Sequence, residues 1–214
     1  MTWKCNACLN STVVRLISGG DKTTYRDEVQ GLAKWCSGNN LTLNSSKAKE
    51  LIIDFQQKGA VPTPLYINGD CVGRVPSFRF LGTHISEDLS WTTNTMAVVK
   101  KVQQRIYFLR ILRKNNLQEK MLVSYYRSTI ESVLTYCIST WYSSCSVAER
   151  RALQGVINTA QKIIGCPLPC LEDLFSSRCI SRAANILKDT FHLGHHLFDL
   201  LPSGSGKQKY RLIF

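Results

Sequence analysis

Apolar residues follow two different spacings along this chain. Up to about residue 95 they come in short runs and alternations, broken by Gly, Pro, Asn and Ser. Beyond that they recur at three- and four-residue steps. The first pattern belongs to short strands joined by turns, the second to amphipathic helices.

In the first part, Thr12 to Ile17 is a β-like run. One helix follows, to about Ser37, with Tyr25, Val29, Leu32 and Cys36 at i, i+4, i+7 and i+11 and Asp21 or Thr23 as its cap. Trp35 is expected to pack on the strands after it. Leu41 to Phe55 reads as strand, polar turn, strand: Leu41 and Leu43 alternate with polar residues, Asn44, Ser45 and Ser46 are turn formers, and Leu51 to Ile53 form an apolar run. The turn carries Lys47 and Lys49, close enough to reach one anion. Leu65 to Val72 predicts a β-hairpin on its Asn68-Gly69 turn. Ser77 to Ile85 predicts one strand with Phe78, Phe80 and Leu81 facing inward and Gly82 as a bulge or a point of close backbone approach.

In the second part, Val99, Val102, Ile106, Leu109 and Leu112 form one stripe on a helix from Ala97 to about Asn115. A second helix, about Gln118 to Tyr136, carries Leu122, Tyr125, Thr129, Ile130 and Val133 inward. Ser146 and Glu149 make a capping box for a third, with Leu153, Val156, Ile157, Ala160 and Ile164 inward and Gly165 as its stop. Cys170 to His192 is a fourth, with Leu171, Leu174, Ile180, Ala184 and Leu187 inward. The expected fold class is α+β. Residues 1–95 form a domain of short antiparallel strands and one helix, 96–200 a bundle of about four helices, and 201–214 a flexible basic tail.

Charge narrows the function. The 214 residues hold 27 Lys+Arg against 15 Asp+Glu, a net charge of +12. Such a surplus favours anionic partners, nucleic acid first. It is concentrated on the long helix and its successor. Lys100, Lys101, Arg105, Arg110, Arg113, Lys114, Lys120 and Arg127 stand against one acid, Glu119. Arg105 and Arg113 fall near the apolar stripe; the other cations of the helix point elsewhere. Tyr107, Phe108, Tyr125 and Tyr126 have the chemistry to stack on bases, although aromatics at helical spacing more often belong to a core.

Nine cysteines without scaffold spacing, and no apolar leader, point to reduced thiols in the cytosol or nucleus rather than secretion. No run approaches the length of a membrane span. Cys5 and Cys8 have no second pair at zinc spacing, Cys166 and Cys170 being only a loose candidate, so no metal and no cofactor is expected. Gly204-Ser205-Gly206-Lys207 does not fit a phosphate loop, because Leu201 and Gln208 stand at the required Gly and Ser/Thr positions. His192, His195 and His196 have no carboxylate at facial-triad spacing.

Trp35-Cys36-Ser37-Gly38-Asn39-Asn40-Leu41-Thr42-Leu43-Asn44-Ser45-Ser46-Lys47-Ala48-Lys49-Glu50, followed by Phe80-Leu81-Gly82, resembles the back of the palm in reverse transcriptases of non-LTR (LINE-type) retrotransposons. Those read W-C-x-x-N-x-L-x-L-N-x-x-K-x-K-E. The resemblance extends over nearly the whole chain after Ser11. It implies an incomplete palm at 1–95, a primer grip at Phe80 and Gly82, and a thumb at 96–200 whose cations track an RNA/DNA duplex. The family's metal-binding Asp-Asp pair would fall at Leu9-Asn10, and neither acid is present. The resemblance thus implies a non-catalytic remnant of an RNA-directed DNA polymerase, truncated at both ends, that binds nucleic acid without strong sequence preference. An incomplete palm would leave a sheet edge open to self-association.

Residues 99–141 are also similar to the N-terminal helical domain of AlkB-homologue tRNA-modifying proteins. Those combine a 2-oxoglutarate/iron dioxygenase with a methyltransferase. His84-Ile85-Ser86 does not supply an iron triad, and no glycine-rich loop for S-adenosylmethionine is present. A helical interaction module without a nucleic-acid role is the remaining alternative.

Overall fold

The computed structural model describes residues 12–14, 17, 23–41, 43–54, 63–200 and 210–212. The chain divides into two compact units, Met1–Leu89 and Ser90–Phe214. The fold is α+β: helices dominate, and the strands are short and paired in twos.

In the N-terminal unit, α1 (Thr23–Gly38) buries Val29, Ala33 and Cys36, with Tyr25 and Leu32 half-covered. It ends where Asn40 turns left-handed at φ 56°. Leu41 N–H donates to Cys36 O at 2.8 Å and Asn40 N–H to Ser37 O at 3.2 Å, which satisfies the last carbonyls of the helix. Trp35 is on the open side, 53% exposed, and does not make the packing contact expected of it. Thr12–Val14 and Ile17 are irregular rather than strand.

Over its described residues, 41 and 43–54, the expected strand–turn–strand is mostly not a sheet; Thr42 and Phe55 lie outside the described residues. Leu41 and Leu43 are irregular, and Ser45–Lys47 is a 3₁₀ turn capped by the Asn44 side chain, which accepts from Lys47 N–H at 3.2 Å. Only β1 (Lys49–Glu50) pairs, and it pairs in parallel with a later strand. β2 (Tyr66–Ile67) and β3 (Asp70–Cys71) form the predicted hairpin, with Asn68 at φ 52° and Gly69 at φ 88°. β4 (Gly73–Arg74) is the parallel partner of β1, an exception to the antiparallel pairing expected. The core of the unit is Val29, Ala33, Leu65, Ile67 and Val72, flanked by Tyr25, Leu43 and Ala48.

Ser77–Ile85 is not one strand. β5 (Ser77–Phe80) and β6 (Thr83–Ser86) are antiparallel, and Leu81-Gly82 is the turn between them. Both turn residues have positive φ, 46° and 87°, as a two-residue type I′ hairpin requires. Phe78 and Leu81 are therefore outside, 44% and 73% exposed, and only Phe80 is half-covered.

The C-terminal unit is helical. α2 (Thr92–Lys114) buries Val102, Ile106 and Leu109 and half-buries Val99 and Leu112. The chain turns back at Asn115–Gln118 into one continuous helix made of α3 (Glu119–Tyr125), a π-helical stretch (Tyr126–Glu131) and α4 (Ser132–Leu134). Its buried residues are Leu122, Tyr126, Ile130 and Leu134, spaced by four. On a straight α-helix a four-residue repeat drifts around the axis, because a turn holds 3.6 residues. The wider π turn absorbs the drift and keeps all four on one side. That shift of register leaves Tyr125, Thr129 and Val133, expected inside, only half-buried.

Cys137, left-handed at φ 49°, separates α4 from α5 (Ile138–Trp141). Trp141 is fully buried, and its Nε1–H donates to Tyr136 O at 2.9 Å. α6 (Val147–Ile164) has the predicted capping box, with Ser146 N–H to Glu149 Oε2 at 2.7 Å and Glu149 N–H to Ser146 Oγ at 3.3 Å. It buries Leu153, Val156, Ile157, Ala160 and Ile164 and stops at Gly165, φ 93°. α7 (Leu171–Lys188) is capped by the Cys170 thiol, which accepts from Asp173 N–H at 3.3 Å. Leu171 N–H donates to Gln154 Oε1 of α6 at 3.0 Å. α7 buries little beyond Leu171. Ile180, expected inside, is 69% exposed, and the helix ends at Lys188 because Asp189 is extended. β7 (Phe198–Leu200) pairs antiparallel with β8 (Tyr210–Leu212), inside the stretch expected as a tail.

Candidate nucleic-acid interface

The charge concentration foreseen in the sequence lies on α2, which holds no Asp or Glu over its whole length. No intrahelical ion pair can therefore neutralise its cations. Opposite the buried side run Lys100, Gln104, Tyr107, Ile111 and Lys114, at steps of four, three, four and three, all exposed. Arg110 lies beside this stripe, also exposed. Tyr107 is 59% exposed and meets Phe108, itself 54% exposed, edge-on at 5.7 Å between centroids. A cation–aromatic stripe of this kind has the two parts that bind a polynucleotide without reading its sequence. Cations meet phosphates, and an uncovered ring meets a base.

The other cations named from sequence do not join it. Lys101 is exposed on the opposite flank, with Phe108. The Arg105 guanidinium turns inward and donates to Thr129 O, while Tyr125 Oη–H donates to Arg105 O at 3.4 Å. Arg105 thus clamps α2 to the π stretch. Arg113 is exposed but runs toward Gly165, where an added Cβ would stand 4.0 Å from its Nη2. Arg113 and Lys114 also occupy the last turn of α2, where positive charge offsets the negative end of the helix dipole. A cleft of about 370 Å³ between α2 and α6 lies along Gln103 and Arg110 on one side and Gly155 and Thr159 on the other.

The remaining candidates are in the N-terminal unit. Lys47 is exposed on the 3₁₀ turn, and Lys49 lies in β1 with its Nζ against Gly73, 3.2 Å from where a Cβ would stand. Phe80 and Gly82 belong to the β5–β6 hairpin, with Gly82 at its tip. Gly82 is thus a turn glycine rather than a bulge within one strand. Leu9 and Asn10, on which the loss of the metal-binding pair was read, lie outside the described residues, as do Cys5 and Cys8. Among the described residues no group of three or more His, Cys, Asp or Glu is placed to hold a metal, and no helix is long and apolar enough to cross a membrane.

Sequence reasoning missed the pairing of Tyr107 with the lysines. The signal was present: Lys100, Tyr107 and Lys114 are seven apart, so they share a side of any helix. Tyr126, a ring with the chemistry to stack on a base, is instead fully buried. Burial, and then Glu131, hold its phenol far above the ordinary tyrosine value. The Cys166 thiol is likewise raised, by burial first and Glu119 second.

The chain matches the family described as "Alkylated DNA repair protein alkB homolog 8, N-terminal" over residues 91–132. The match starts before α2 and ends at the first residue of α4, so it takes in the α2–α3 helix pair and the π stretch. It begins earlier and ends earlier than the 99–141 read from sequence, and it covers a minority of the chain. No curated protein and no solved structure matches the chain. No reverse transcriptase is among the matches.

Proposed function

We propose that this chain binds nucleic-acid duplexes through their phosphates, without strong sequence preference, along the exposed stripe of α2. The carrying observation is an acid-free helix that leaves Lys100, Arg110 and Lys114 unburied beside Tyr107. From Lys100 to Lys114 the stripe is about 21 Å long, enough to meet several phosphates along one strand. The reverse-transcriptase resemblance favours the same reading, as a non-catalytic remnant of an RNA-directed DNA polymerase with its duplex-tracking helix retained.

Anisotropy of a labelled RNA–DNA hybrid, titrated with the full chain at low and moderate salt, tests it. Three phosphate contacts give a slope of about −2.7 in log K against log salt. Changing Lys100, Arg110 and Lys114 to Glu should remove most of the affinity, and Lys101→Glu should do less. Binding that ignores both salt and the triple change would end this reading, and magnesium-dependent nucleotide addition by the chain would end the remnant.

The match to the alkB homologue 8 N-terminal family favours a second reading. Here the α2–α3 pair is a domain of the alkB homologue N-terminal type, without catalytic chemistry of its own and without the duplex-binding role. Such a domain would leave the hybrid duplex unbound even at low salt.

A further inference from the structure

A second basic site stands in the C-terminal unit, sharing no residue with the α2 stripe. Between α5 and α7 runs a groove of about 540 Å³, within the size range of small-molecule sites. We propose that this groove binds a phosphate group, carried either by a free nucleotide or by a single-stranded polynucleotide, with the Arg178 and Arg182 guanidinia as its principal ligands.

Arg178 and Arg182 are one turn apart on α7, so they project to the same side, roughly 6 Å from each other at their Cβ atoms. Both line the groove and both are exposed. Among the described residues the ion pairs are Arg74–Glu87 and Arg150–Glu172, so neither of these two guanidinia has a carboxylate partner there. Arg182 Nη1–H reaches across to Ser139 Oγ at 3.5 Å, which holds one edge of the still exposed guanidinium at the groove. A planar fork of donors suits a phosphate's oxygens better than an ammonium does, because two parallel hydrogen bonds can form at once.

The other walls add donors and an apolar surface. His192 Nδ1 accepts the Gly194 N–H at 3.0 Å, so in the neutral ring the proton is on Nε2 and that edge is a donor. Ser181 and Asn185, on α7, supply neutral polar groups of the kind that fix orientation. Ile186, half-buried at the side of the groove, offers an apolar surface on which a base or sugar can pack, and the buried Ile138 backs the wall. One acid, Asp189, also lines the groove, and its Oδ1 already accepts Phe191 N–H at 3.1 Å. Two guanidinia against one carboxylate leave the groove positive. A cleft of this volume takes one nucleotide or a splayed single strand, not a duplex, which separates it from the role given to α2.

The test uses the full chain with three probes: ADP, adenosine, and a labelled single-stranded oligodeoxynucleotide of ten residues. Calorimetry should show ADP bound and adenosine not, since the phosphate supplies the attraction. The R178E/R182E variant should weaken ADP or the oligonucleotide by about tenfold or more. R178Q/R182Q, which removes charge without adding any, should weaken it in the same direction if the Glu variant fails to fold. Changing Lys100, Arg110 and Lys114 to Glu should leave ADP binding intact, so failure of the α2 reading and failure of this one give different results. Binding of ADP alone assigns the groove to free nucleotides; binding of the oligonucleotide alone, lost in R178Q/R182Q, assigns it to a strand. Adenosine bound as well as ADP, no binding of either phosphate probe, or binding unchanged in R178Q/R182Q would overturn the proposal.

Discussion

In the N-terminal unit the core is a small cluster, Val29, Ala33, Leu65, Ile67 and Val72, each still 5–9% exposed. In the C-terminal unit Val102, Leu109, Leu122, Tyr126, Ile130, Leu134, Leu153, Ile157, Ala160 and Ile164 are wholly covered. The contrast follows from how each unit satisfies its backbone. A helix pairs its own amides locally and needs neighbours only for its apolar side, so long helices stack into a deep core. Strands of two to four residues pair few amides and bury few side chains, and two-stranded sheets are marginal without a covering layer. The basic side chains of greatest interest, on α2 and α7, are thus carried on the better-packed of the two units.

The largest expected effect sharpens this contrast directly. Leu109→Ala should cost about 3–5 kcal/mol in a urea melt followed by circular dichroism, and Leu65→Ala about 2, because a fully enclosed cavity relaxes less than one near the surface. Equal costs would remove the distinction between the units.

Alkaline pH should also act on the helical unit. The Tyr142 phenol is pushed up to about 12, by burial first and then by the Glu172 carboxylate, against an ordinary value of 10.0. Tyr126 is raised as well. Below pH 10 that contribution to stability is fully present. Above it the unfolded chain loses the proton first, so stability falls as pH rises from 10 toward 12. Melting temperatures between pH 8 and 11 should show this decline, and Tyr142→Phe should reduce it, leaving the part due to Tyr126. A wild-type profile with no slope in that interval would contradict the burial assigned to these rings.

Smaller effects separate turn from cap. Gly69→Ala in the β2–β3 turn forces an L-residue to φ 88° and should cost about 1–2 kcal/mol of N-terminal-unit stability, visible as faster amide exchange at Ile67 and Val72. Ser146→Ala should cost about 1 kcal/mol at the start of α6. Burial raises the Glu149 carboxyl, but hydrogen bonds from the Ser146 backbone and hydroxyl and from Thr92 outweigh it and bring it below the ordinary value of 4.5. The cap's contribution is therefore present above pH 4.5 and is lost as pH falls through the lower folded value, so the Ser146→Ala difference should shrink in acid.

Much of this was legible because it is local. The spacing of Val102, Ile106 and Leu109, the Ser146–Glu149 box, the Gly165 stop and the Asn68-Gly69 turn each act over a few residues, and all are present. Ser77–Ile85 misled because both phenylalanines suit a strand, and nothing in Leu81 announces a left-handed turn: leucine is disfavoured there and must be held by the pairing of Phe80 with Thr83. Ile180 misled because periodicity marks a helical side without saying whether another element covers it. Of the cations counted on α2, the sequence could supply their number but not their direction.

By itself the sequence determined the main helices, the cap that starts α6 and the glycine that stops it, and that their surplus charge is positive, since propensity, caps and composition are properties of adjacent residues. Tertiary structure decided which residues face out. It turned Arg105 onto Thr129, underwound Tyr126–Glu131 to keep a four-residue repeat inside, and set Arg182 across from Ser139. Those outcomes depend on segments 24 to 43 residues apart competing for the same space and the same hydrogen bonds, and no local pattern encodes that competition.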